Sequence, residues 1–520
     1  MAVTARPEVI SLAGGLPDTS TFPARDLAAL MARVAAEASA SALQYGPTDG
    51  LHALKSCIVE VMGEEGMTVS EDELLVTAGG QQVIDLVCKT LIDPGDVIIA
   101  EGPTYPGAVP TFGAYEADVV QIELDDDGMR VDLLEQALDQ LAREGRTPKF
   151  VYTVPTFQDP AGVTMSLERR LRLVRMASER QLLVLEDNPY GLLRYEGDPL
   201  PTLYALDGGE YLTYLGTFSK ILAPGLLLGW TAAPRPVLEK LALAKQGADL
   251  CPSSFGPYFV IEYFARRDWR DLIGSRRAHY PHRRDAMLEA MAEHFPREAQ
   301  WTSPAGGLFI WATLPDYIDT TDLLALALRE HVAFVPGRAA YLDGRGSAAM
   351  RLSFSAVDEE DLRDGIARIG KVVNDQVRRY STLTRTGHGT VRERSAPESE
   401  GEVSERARIL PLSLAQDESR RRPGRRTVFG APGLVAIRGA RARRARTAWT
   451  RGHRDRRRPG LGRSSRRYAA GRRLHRSPRA RWRRRKRAGD SRADGCGLHS
   501  LRSVGLYALH GQGAHEARTS

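Results

Sequence analysis

The strongest constraint on the fold is a repeated alternation between short apolar runs and longer amphipathic segments, which begins near Leu74. Short apolar runs separated by helical segments are typical of a mostly parallel sheet that helices cover on both faces. The runs occupy residues 74–77, 97–100, 150–154, 182–186 and 211–215. The sequence therefore predicts an α/β fold built on one large sheet.

The segment that follows has a different order of elements and indicates a second, smaller α+β unit. Its pattern predicts helices at residues 285–294, 321–330 and 358–374, with strands at 307–312 and 350–355. We therefore predict four parts: an N-terminal arm that joins the small domain (1–50), a large domain (51–284), a small C-terminal domain (285–375) and a tail (376–520).

The tail differs chemically from the rest of the chain. Residues 381–520 hold 36 of the 72 basic side chains but only 11 of the 65 acidic ones, so the net charge of +7 combines an acidic body with a strongly basic tail. Such a segment buries too little apolar surface to offset its ordering entropy. We interpret it as disordered, or as translation of a shifted reading frame in GC-rich DNA. Nucleic-acid binding through its arginines ranks low, because no aromatic residues are interleaved with them.

Composition excludes several classes of protein. The hydrophobic fraction of 42% and the charged fraction of 26% are ordinary for a globular chain. The four cysteines lie far apart and form neither a disulfide framework nor a metal-ligand spacing, so we predict no metal and a reducing cytoplasm. No apolar run reaches membrane-spanning length, and the first residues do not resemble a secretory signal.

Two segments place reactive side chains at predicted strand ends. Ser219 and Lys220 follow the run at 211–215, and a lysine desolvated there has a lowered pKa and a nucleophilic amine. Asp187 ends the run at 182–186, where ligands of open α/β sheets bind, and a carboxylate there can pair with a protonated pyridine nitrogen. The alternatives are a solvated surface lysine and a helix N-cap aspartate.

Two other segments suit an anion and an aromatic ring. Gly79 and Gly80 lie between a strand and a helix, and backbone N–H groups at such a helix N-terminus bind phosphate, although most glycine pairs are simple turns. Tyr105 lies just beyond the run at 97–100, where its ring could stack on a cofactor or simply fill the core.

Together these segments resemble the class I/II pyridoxal-5′-phosphate (PLP) aminotransferases of the aspartate-aminotransferase fold (fold type I). The closest likeness is to the 2-aminoadipate aminotransferase branch, which includes the catalytic halves of MocR-type regulators. The resemblance covers about residues 8–372, with motifs in the family's order. They are Ile10-Ser-Leu-Ala-Gly-Gly-Leu-Pro-Asp18, Leu43-Gln-Tyr45-Gly-Pro-Thr-Asp-Gly50, Asp187-Asn-Pro-Tyr190-Gly191, Pro304-Ala-Gly-Gly-Leu-Phe309 and Met350-Arg351-Leu-Ser-Phe-Ser355.

The resemblance implies a role for each matching residue. Lys220 would carry PLP as a Schiff base and move a proton, Asp187 would hold the pyridine nitrogen, and Tyr190 would contact the phenolic oxygen. Arg351 would clamp the substrate α-carboxylate through two parallel hydrogen bonds, which suit a planar guanidinium. Tyr105 would stack on the cofactor ring, and Gly15 would cover the substrate. Tyr45 would reach the neighbouring subunit of a homodimer. The phosphate would be bound by Gly79, Gly80, Gln81, Thr217 and Ser219.

Two positions depart from the family pattern. Leu227 stands where the family usually has a phosphate-binding arginine, which removes a contact commonly worth roughly 1.5–3 kcal/mol. Asp159 stands where the family usually has the asparagine that donates to the cofactor phenolate. A carboxylate there is repelled by the phenolate unless one of the two is protonated. Both changes predict an altered cofactor site.

The function implied is transfer of the amino group of an L-α-amino acid to a 2-oxo acid, with a donor of the 2-aminoadipate, glutamate, aromatic or branched aliphatic type. Alternatives are another PLP reaction on an amino acid, such as β-elimination or decarboxylation, or a PLP-binding regulator-like protein without activity. The chain begins only a few residues before Ile10, so we expect no N-terminal DNA-binding domain. Arg25 and Arg33 could meet a distal carboxylate, but solvated helix arginines are the simpler interpretation.

Overall fold

The computed structural model describes residues 6–22 and 24–386, except the side chains of residues 385 and 386. The strands are β1 (Ile10–Ser11), β2 (Leu74–Thr77), β3 (Val97–Gly102), β4 (Asp118–Asp125), β5 (Gly128–Met129), β6 (Val151–Thr153), β7 (Val184–Asp187), β8 (Leu212–Thr217), β9 (Gly229–Ala232), β10 (Gln300–Trp301), β11 (Phe309–Thr313), β12 (Val332–Ala333), β13 (Val335–Pro336) and β14 (Ala349–Ser353).

The helices alternate with these strands over most of the described chain. They are α1 (Ala24–Glu37), α2 (Ser39–Ala42), α3 (His52–Glu64), α4 (Gly80–Leu91), α5 (Val109–Ala114), α6 (Val131–Arg143), α7 (Leu167–Arg180), α8 (Leu203–Asp207), α9 (Phe218–Ile221), α10 (Arg235–Ala248), α11 (Phe255–Arg266), α12 (Trp269–His294), α13 (Thr320–Ala327) and α14 (Glu359–Thr386).

The large sheet has eight strands in the order β2-β9-β8-β7-β6-β3-β4-β5. The central strands β8, β7, β6, β3 and β4 are parallel to one another, whereas β9 is antiparallel to both β2 and β8, and β5 is antiparallel to β4. The predicted α/β fold with a large, mostly parallel sheet is therefore confirmed, and each of the five predicted apolar runs overlaps a strand of it.

Both faces of the large sheet are covered, which explains why its strands are continuously apolar. Successive strand residues point to opposite faces. In β3, Val97 and Ile99 join one buried cluster, while Ile98 and Ala100 join another. Four consecutive apolar residues are thus buried without exposing either side of the strand.

The topology brings the predicted reactive residues to one edge of the sheet. Asp187 is the last residue of β7, and Thr217 is the last residue of the adjacent parallel strand β8. Parallel neighbours end at the same edge, so the segments that follow them, including Lys220 on α9, lie side by side.

The smaller unit is built on a four-stranded sheet in the order β10-β11-β14-β13, with α12 and α14 packed together beside it. Ile310 of β11 and Leu352 of β14 share a buried cluster with Met291 of α12 and Ile366 of α14. The N-terminal strand β1 pairs with β12, and Leu12 lies in the same cluster. The N-terminal segment at residues 10–12 therefore packs with this unit.

Two predicted boundaries differ from the structure. The helix predicted at 285–294 begins at Trp269, so the predicted domain boundary at 284 falls inside α12; Pro281 within this helix obscures the pattern. The tail predicted from residue 376 begins later, because α14 continues to Thr386. Val373 is buried and Val377 packs against the same cluster, so the apolar stripe continues past the expected end. Residues 387–520 lie outside the described part, and the four-part division of the chain remains a prediction.

The described residues contain neither a candidate membrane-spanning helix nor a cluster suited to a metal ion. Over residues 6–22 and 24–386, no helix is long and apolar enough to cross a membrane. Within the same ranges, no cluster of His, Cys, Asp and Glu has the arrangement of a metal site.

Candidate active site

A cavity of about 760 Å³ opens at the ends of β7 and β8 and faces the small sheet. Its lining includes twelve of the thirteen predicted site residues: Gly15, Gly79, Gly80, Gln81, Tyr105, Asp159, Asp187, Tyr190, Thr217, Ser219, Lys220 and Arg351. The exception is Tyr45, which is 78% exposed and does not line the cavity. The volume is in the range of small-ligand sites.

Lys220 lies in the last turn of the four-residue helix α9, directly after β8. Its Nζ donates a hydrogen bond of 2.6 Å to the carbonyl oxygen of Gly15. Burial lowers the pKa of Lys220, with Arg351 acting in the same direction and Asp159 opposing it. A lysine with a lowered pKa has more of the neutral amine that attacks a carbonyl.

Arg276 of α12 holds the backbone around Lys220. Its Nη1 donates to the carbonyl oxygen of Lys220 and its Nη2 to that of Leu222, each at 2.8 Å. Its side chain is fully buried, and burial lowers its pKa from the ordinary arginine value. This arginine thus fixes the turn that carries Lys220, and sequence reasoning missed it because it lies 56 residues away.

Asp187 is buried at the end of β7, and its carboxylate accepts a hydrogen bond of 2.7 Å from the hydroxyl of Tyr152. Burial raises the pKa of Asp187 to about 7, and the nearby charges of Asp159 and Glu101 act in the same direction. The alternative of a helix N-cap is wrong, because the next helix, α8, is capped by Thr202. A buried carboxylate of this kind suits a cationic partner.

Asp159 links two other predicted site residues. Its Oδ1 accepts a hydrogen bond of 2.7 Å from Nη1 of Arg351, and its Oδ2 accepts one of 3.1 Å from the hydroxyl of Tyr190. The side chains of Asp159 and Arg351 are only 4% and 9% exposed. Arg351 therefore forms a buried ion pair and not a surface salt bridge.

Arg351 has two further neighbours. Its Nη2 donates to the carbonyl oxygen of Ala13 at 2.8 Å, and its guanidinium carbon lies 4.3 Å from the centre of the Phe309 ring. Its Nε is buried without a hydrogen-bond partner among the described residues. Phe309 also packs edge to face on Tyr190, with ring centres 5.9 Å apart. Sequence reasoning quoted Phe309 in a motif but assigned it no role.

The glycine turn forms the predicted helix start. Gly79 has a φ of +83° and is the N-cap of α4. The first-turn N–H groups of this helix, which have no partner within the helix, lie at the end of the cavity that Gly79 and Gly80 line. A side chain at Gly80 would lie 2.9 Å from Leu215 of β8, so the helix approaches the sheet closely. This arrangement suits an anion.

The other predicted phosphate residues lie on two neighbouring segments. The side-chain oxygen of Thr217 accepts from the backbone N–H of Ser219 at 3.1 Å and lies 2.9 Å from its hydroxyl. Gln81 directs its side chain away from this pair, since its Nε2 donates to the carbonyl oxygen of Gly107. For Gln81, the backbone N–H is thus the group that suits an anion.

Tyr105 lines the cavity above the end of β3, and Gly107 makes room for it. A Cβ at Gly107 would lie 2.4 Å from Cζ of the Tyr105 ring. Burial raises the pKa of Tyr105 to about 12, with Asp159 and Asp187 adding to the effect, so the ring is neutral at physiological pH.

Leu227 lies at the rim of the cavity, with 64% of its surface exposed and a left-handed φ of +48°. It offers no charge to an anion bound at the glycine turn. Among the residues lining the cavity, the charged ones are Asp159, Asp187, Lys220 and Arg351, so the lining has no net formal charge.

These residues fit PLP. One cavity of suitable volume is surrounded by a lysine amine, a buried carboxylate, an aromatic ring and a glycine helix start. In this order, the four groups match the aldehyde, the pyridine nitrogen, the ring and the phosphate of that cofactor. The fold and the site together define a fold type I PLP-dependent enzyme.

Comparison with known proteins shows the family. The model for aminotransferase class I and II matches residues 7–369, and the chain belongs to this family. It is 44% identical over 373 residues to aromatic-amino-acid aminotransferase 1 of Thermococcus litoralis, which covers 72% of this chain and 89% of that protein. It is 36% identical over 376 residues to the 2-aminoadipate transaminase of Thermus thermophilus, covering 72% and 92%.

Solved structures agree with the curated relatives. The crystal structure of Pyrococcus horikoshii kynurenine aminotransferase, in complex with PMP and its substrates, matches with a TM-score of 0.69 and 42% identity, covering 72% of this chain and 93% of that one. The protein is therefore a PLP-dependent aminotransferase that transfers the amino group of an amino acid to a 2-oxo acid, and the predicted fold type, activity and cofactor are confirmed.

Proposed function

We propose that Lys220 holds the cofactor through its Nζ and then carries the proton that leaves the substrate Cα. PLP, when bound, supplies an electron sink that stabilises negative charge at that carbon. The observation that carries the proposal is that Lys220 Nζ shares one cavity with Asp187 and Arg351. A lysine with a lowered pKa holds more of the neutral amine, which can accept a proton and return it.

Asp187 holds the pyridine nitrogen in its protonated form. Its carboxylate is buried, and the Tyr152 hydroxyl fixes one oxygen, Oδ2, at 2.7 Å. A cationic ring nitrogen stabilises the charged carboxylate, so it opposes the effect of burial on the pKa of Asp187. Tyr152 acts as a positioning residue for this contact.

The other cofactor contacts follow from the cavity lining. Tyr105 packs on the ring, and the Tyr190 hydroxyl and Asp159 lie at the phenolic oxygen. The phosphate is bound by the helix start at Gly79, Gly80 and Gln81 and by the side chains of Thr217 and Ser219.

Arg351 binds the substrate α-carboxylate, and Gly15 covers the amino end of the same substrate. The unpartnered Nε of Arg351 is a donor that a ligand oxygen can use. The Gly15 carbonyl oxygen accepts a hydrogen bond from Lys220 Nζ in this structure. It becomes available as an acceptor for the substrate when the lysine turns to the cofactor.

The donor preferred by this site has an apolar side chain. Besides the four charged residues and the polar ones already described, the lining contains apolar side chains such as Leu16, Ile84, Val335 and Val357. No arginine or lysine other than Arg351 and Lys220 lines the described cavity to meet a distal carboxylate. We therefore assign aromatic and branched aliphatic amino acids as donors, in preference to glutamate and 2-aminoadipate.

A single-turnover experiment tests this assignment. The PLP-loaded protein is mixed with L-phenylalanine, L-leucine, L-glutamate or L-2-aminoadipate, and conversion of the cofactor to its pyridoxamine form is followed by absorbance. Rates for phenylalanine or leucine should exceed those for the two dicarboxylic donors. Faster conversion with glutamate would contradict the preference, and no conversion in Lys220→Arg supports the role of the lysine.

We also propose that the chain works as a homodimer in the cytoplasm, in which Tyr45 reaches the partner's phosphate site. Tyr45 and Leu43 are 78% and 80% exposed, and burial against a second copy would cover this apolar pair. Cys57, Cys88 and Cys251 are free thiols in the described part, which suits a reducing compartment. Light scattering on the purified chain should give twice the monomer mass, and Tyr45→Phe should weaken PLP binding.

A further inference from the structure

Arg351, the proposed anchor for the substrate, already has an internal carboxylate partner. Asp159 Oδ1 lies 2.7 Å from Arg351 Nη1, and both side chains are more than nine-tenths buried. Two opposite charges at this distance, away from bulk water, cancel much of each other's field. A ligand that enters the cavity therefore meets an ion pair and not a free cation.

The remaining donors of Arg351 restrict how a second carboxylate can bind. Nη2 is committed to the Ala13 carbonyl oxygen at 2.8 Å, and the Phe309 ring covers one face of the guanidinium. The buried Nε has no partner among the described residues. Of the five N–H groups of a guanidinium, a bidentate clamp must use those that Asp159 and Ala13 leave free, while Asp159 stays bound to the same guanidinium.

Asp159 is held in place on its other side. Its Oδ2 accepts the hydrogen bond of the Tyr190 hydroxyl, and Tyr190 is itself 2% exposed and packed on Phe309. The carboxylate cannot turn away from Arg351 without losing this second hydrogen bond. The pair is therefore a fixed part of the site.

We propose that Asp159 is a specificity-determining residue that competes with the substrate α-carboxylate for Arg351. This inference rests on the proposed role of Arg351 as the carboxylate anchor. Because Asp159 offsets the charge of the anchor and repels a second carboxylate, the protein gains little affinity from the carboxylate of its ligand. Affinity then depends on the apolar part of the ligand.

The test compares two unreactive ligands of similar shape, 3-phenylpropanoate and 3-phenylpropanamide, whose end groups are a charged carboxylate and a neutral carboxamide. Their dissociation constants are measured by calorimetry on the PLP-loaded wild type and on Asp159→Asn, which keeps the size of the side chain. Wild type should bind the two ligands with constants within about tenfold of each other, and Asp159→Asn should bind the carboxylate at least about tenfold more tightly than wild type does. Amide binding should stay within about threefold.

A matched control and a second variant separate the possible failures. Asp18→Asn breaks another buried aspartate–arginine pair, with Arg283 at 2.8 Å, and should leave both constants unchanged. When it is combined with Asp159→Asn, the substitution Arg351→Met should abolish the tighter carboxylate binding that Asp159→Asn gives. If Arg351→Met leaves carboxylate binding intact, the anchor itself is misassigned; if it weakens binding while Asp159→Asn has no effect, the competition is refuted. A wild-type preference for the carboxylate well above tenfold refutes it without any variant.

Discussion

Lys220 Nζ and the carbonyl oxygen of Gly15 are joined by a 2.6 Å hydrogen bond that connects residues 205 positions apart. The N-terminal segment thus closes over Lys220, and it does so at a position where a side chain does not fit. A Cβ at Gly15 would lie 2.5 Å from Cζ of Phe309, the ring that also covers Arg351.

Gly15→Ala is therefore expected to displace the N-terminal segment from the site. Overpacking of this kind commonly costs about 1–3 kcal/mol, and the shift should lower kcat/KM at least tenfold. Urea unfolding and steady-state kinetics measure the two effects. Gly14→Ala is the control, because its Cβ would meet only Leu16 at an ordinary 3.5 Å. Equal behaviour of the two variants would show that the contact with Phe309 is not limiting.

Leu227→Arg is expected to tighten PLP binding. Leu227 lies at the cavity rim without a charge for the phosphate, and a charged hydrogen bond of about 1.5–3 kcal/mol corresponds to roughly a 10- to 150-fold lower Kd. The measurement is an absorbance titration of cofactor-free protein with PLP. Leu243→Arg serves as the control, since Leu243 is 63% exposed, almost as exposed as Leu227, but lies on α10 outside the cavity lining. A Kd that falls equally in both variants would indicate a general charge effect.

The stability of the cofactor-free protein should fall as the pH rises from about 5 to 8. Burial raises the pKa of Asp187, Glu65 and Glu101 to about 7, above the ordinary values of 3.8 for Asp and 4.5 for Glu. The folded state thus binds these protons more tightly than the unfolded state does. The resulting gain in unfolding free energy is present at acidic pH and is lost as the pH rises through about 7. Each group contributes at most about 1.4 kcal/mol per pH unit.

Asp187→Asn removes one of these groups and should flatten the dependence of unfolding free energy on pH. Urea unfolding of the cofactor-free variants at pH 5, 6, 7 and 8 gives the slopes. Asp126→Asn changes an exposed aspartate in the β4–β5 turn and should keep the wild-type slope. A slope for Asp187→Asn that matches wild type would mean that Asp187 is already ionised in the folded chain.

Borohydride reduction of the PLP-loaded protein should fix the cofactor to Lys220 alone. Burial and the neighbouring Arg351 lower the pKa of this amine, whereas Lys245, which is fully buried, is engaged with Asp249 at 2.7 Å. Peptide mass mapping locates the modified lysine, and the other lysines serve as internal controls. A label spread over several lysines, or retained in Lys220→Arg, would contradict the assignment.

The sequence predicts the parts of the site that lie at strand ends. Asp187 and Lys220 could be placed because apolar runs locate the strands, and neighbouring parallel strands end at one edge. Contacts between distant segments could not be placed in this way. The pairing of Asp159 with Arg351 joins residues 192 positions apart on different structural units, and no local pattern encodes it.

Tyr152 is an intermediate case. It lies between Val151 and Thr153 in β6, so its hydroxyl is a polar group inside a buried strand. A polar group in such a position indicates a buried hydrogen-bond partner, which the structure identifies as Asp187. The end of α14 was misplaced for a different reason. Charged residues beyond 376 suggested the tail, but Val377 still packs against the small core.

The helix α12 has a consequence for how the described chain melts. Its first turns place Trp269, Leu272 and Ile273 in the core of the large sheet, and its last turns place Met287 and Met291 in the core of the small one. If one end of α12 loses its packing, the helix is released, and the core at its other end loses packing as well. The two cores should therefore behave as one cooperative block, with a single calorimetric transition whose measured and van't Hoff enthalpies agree.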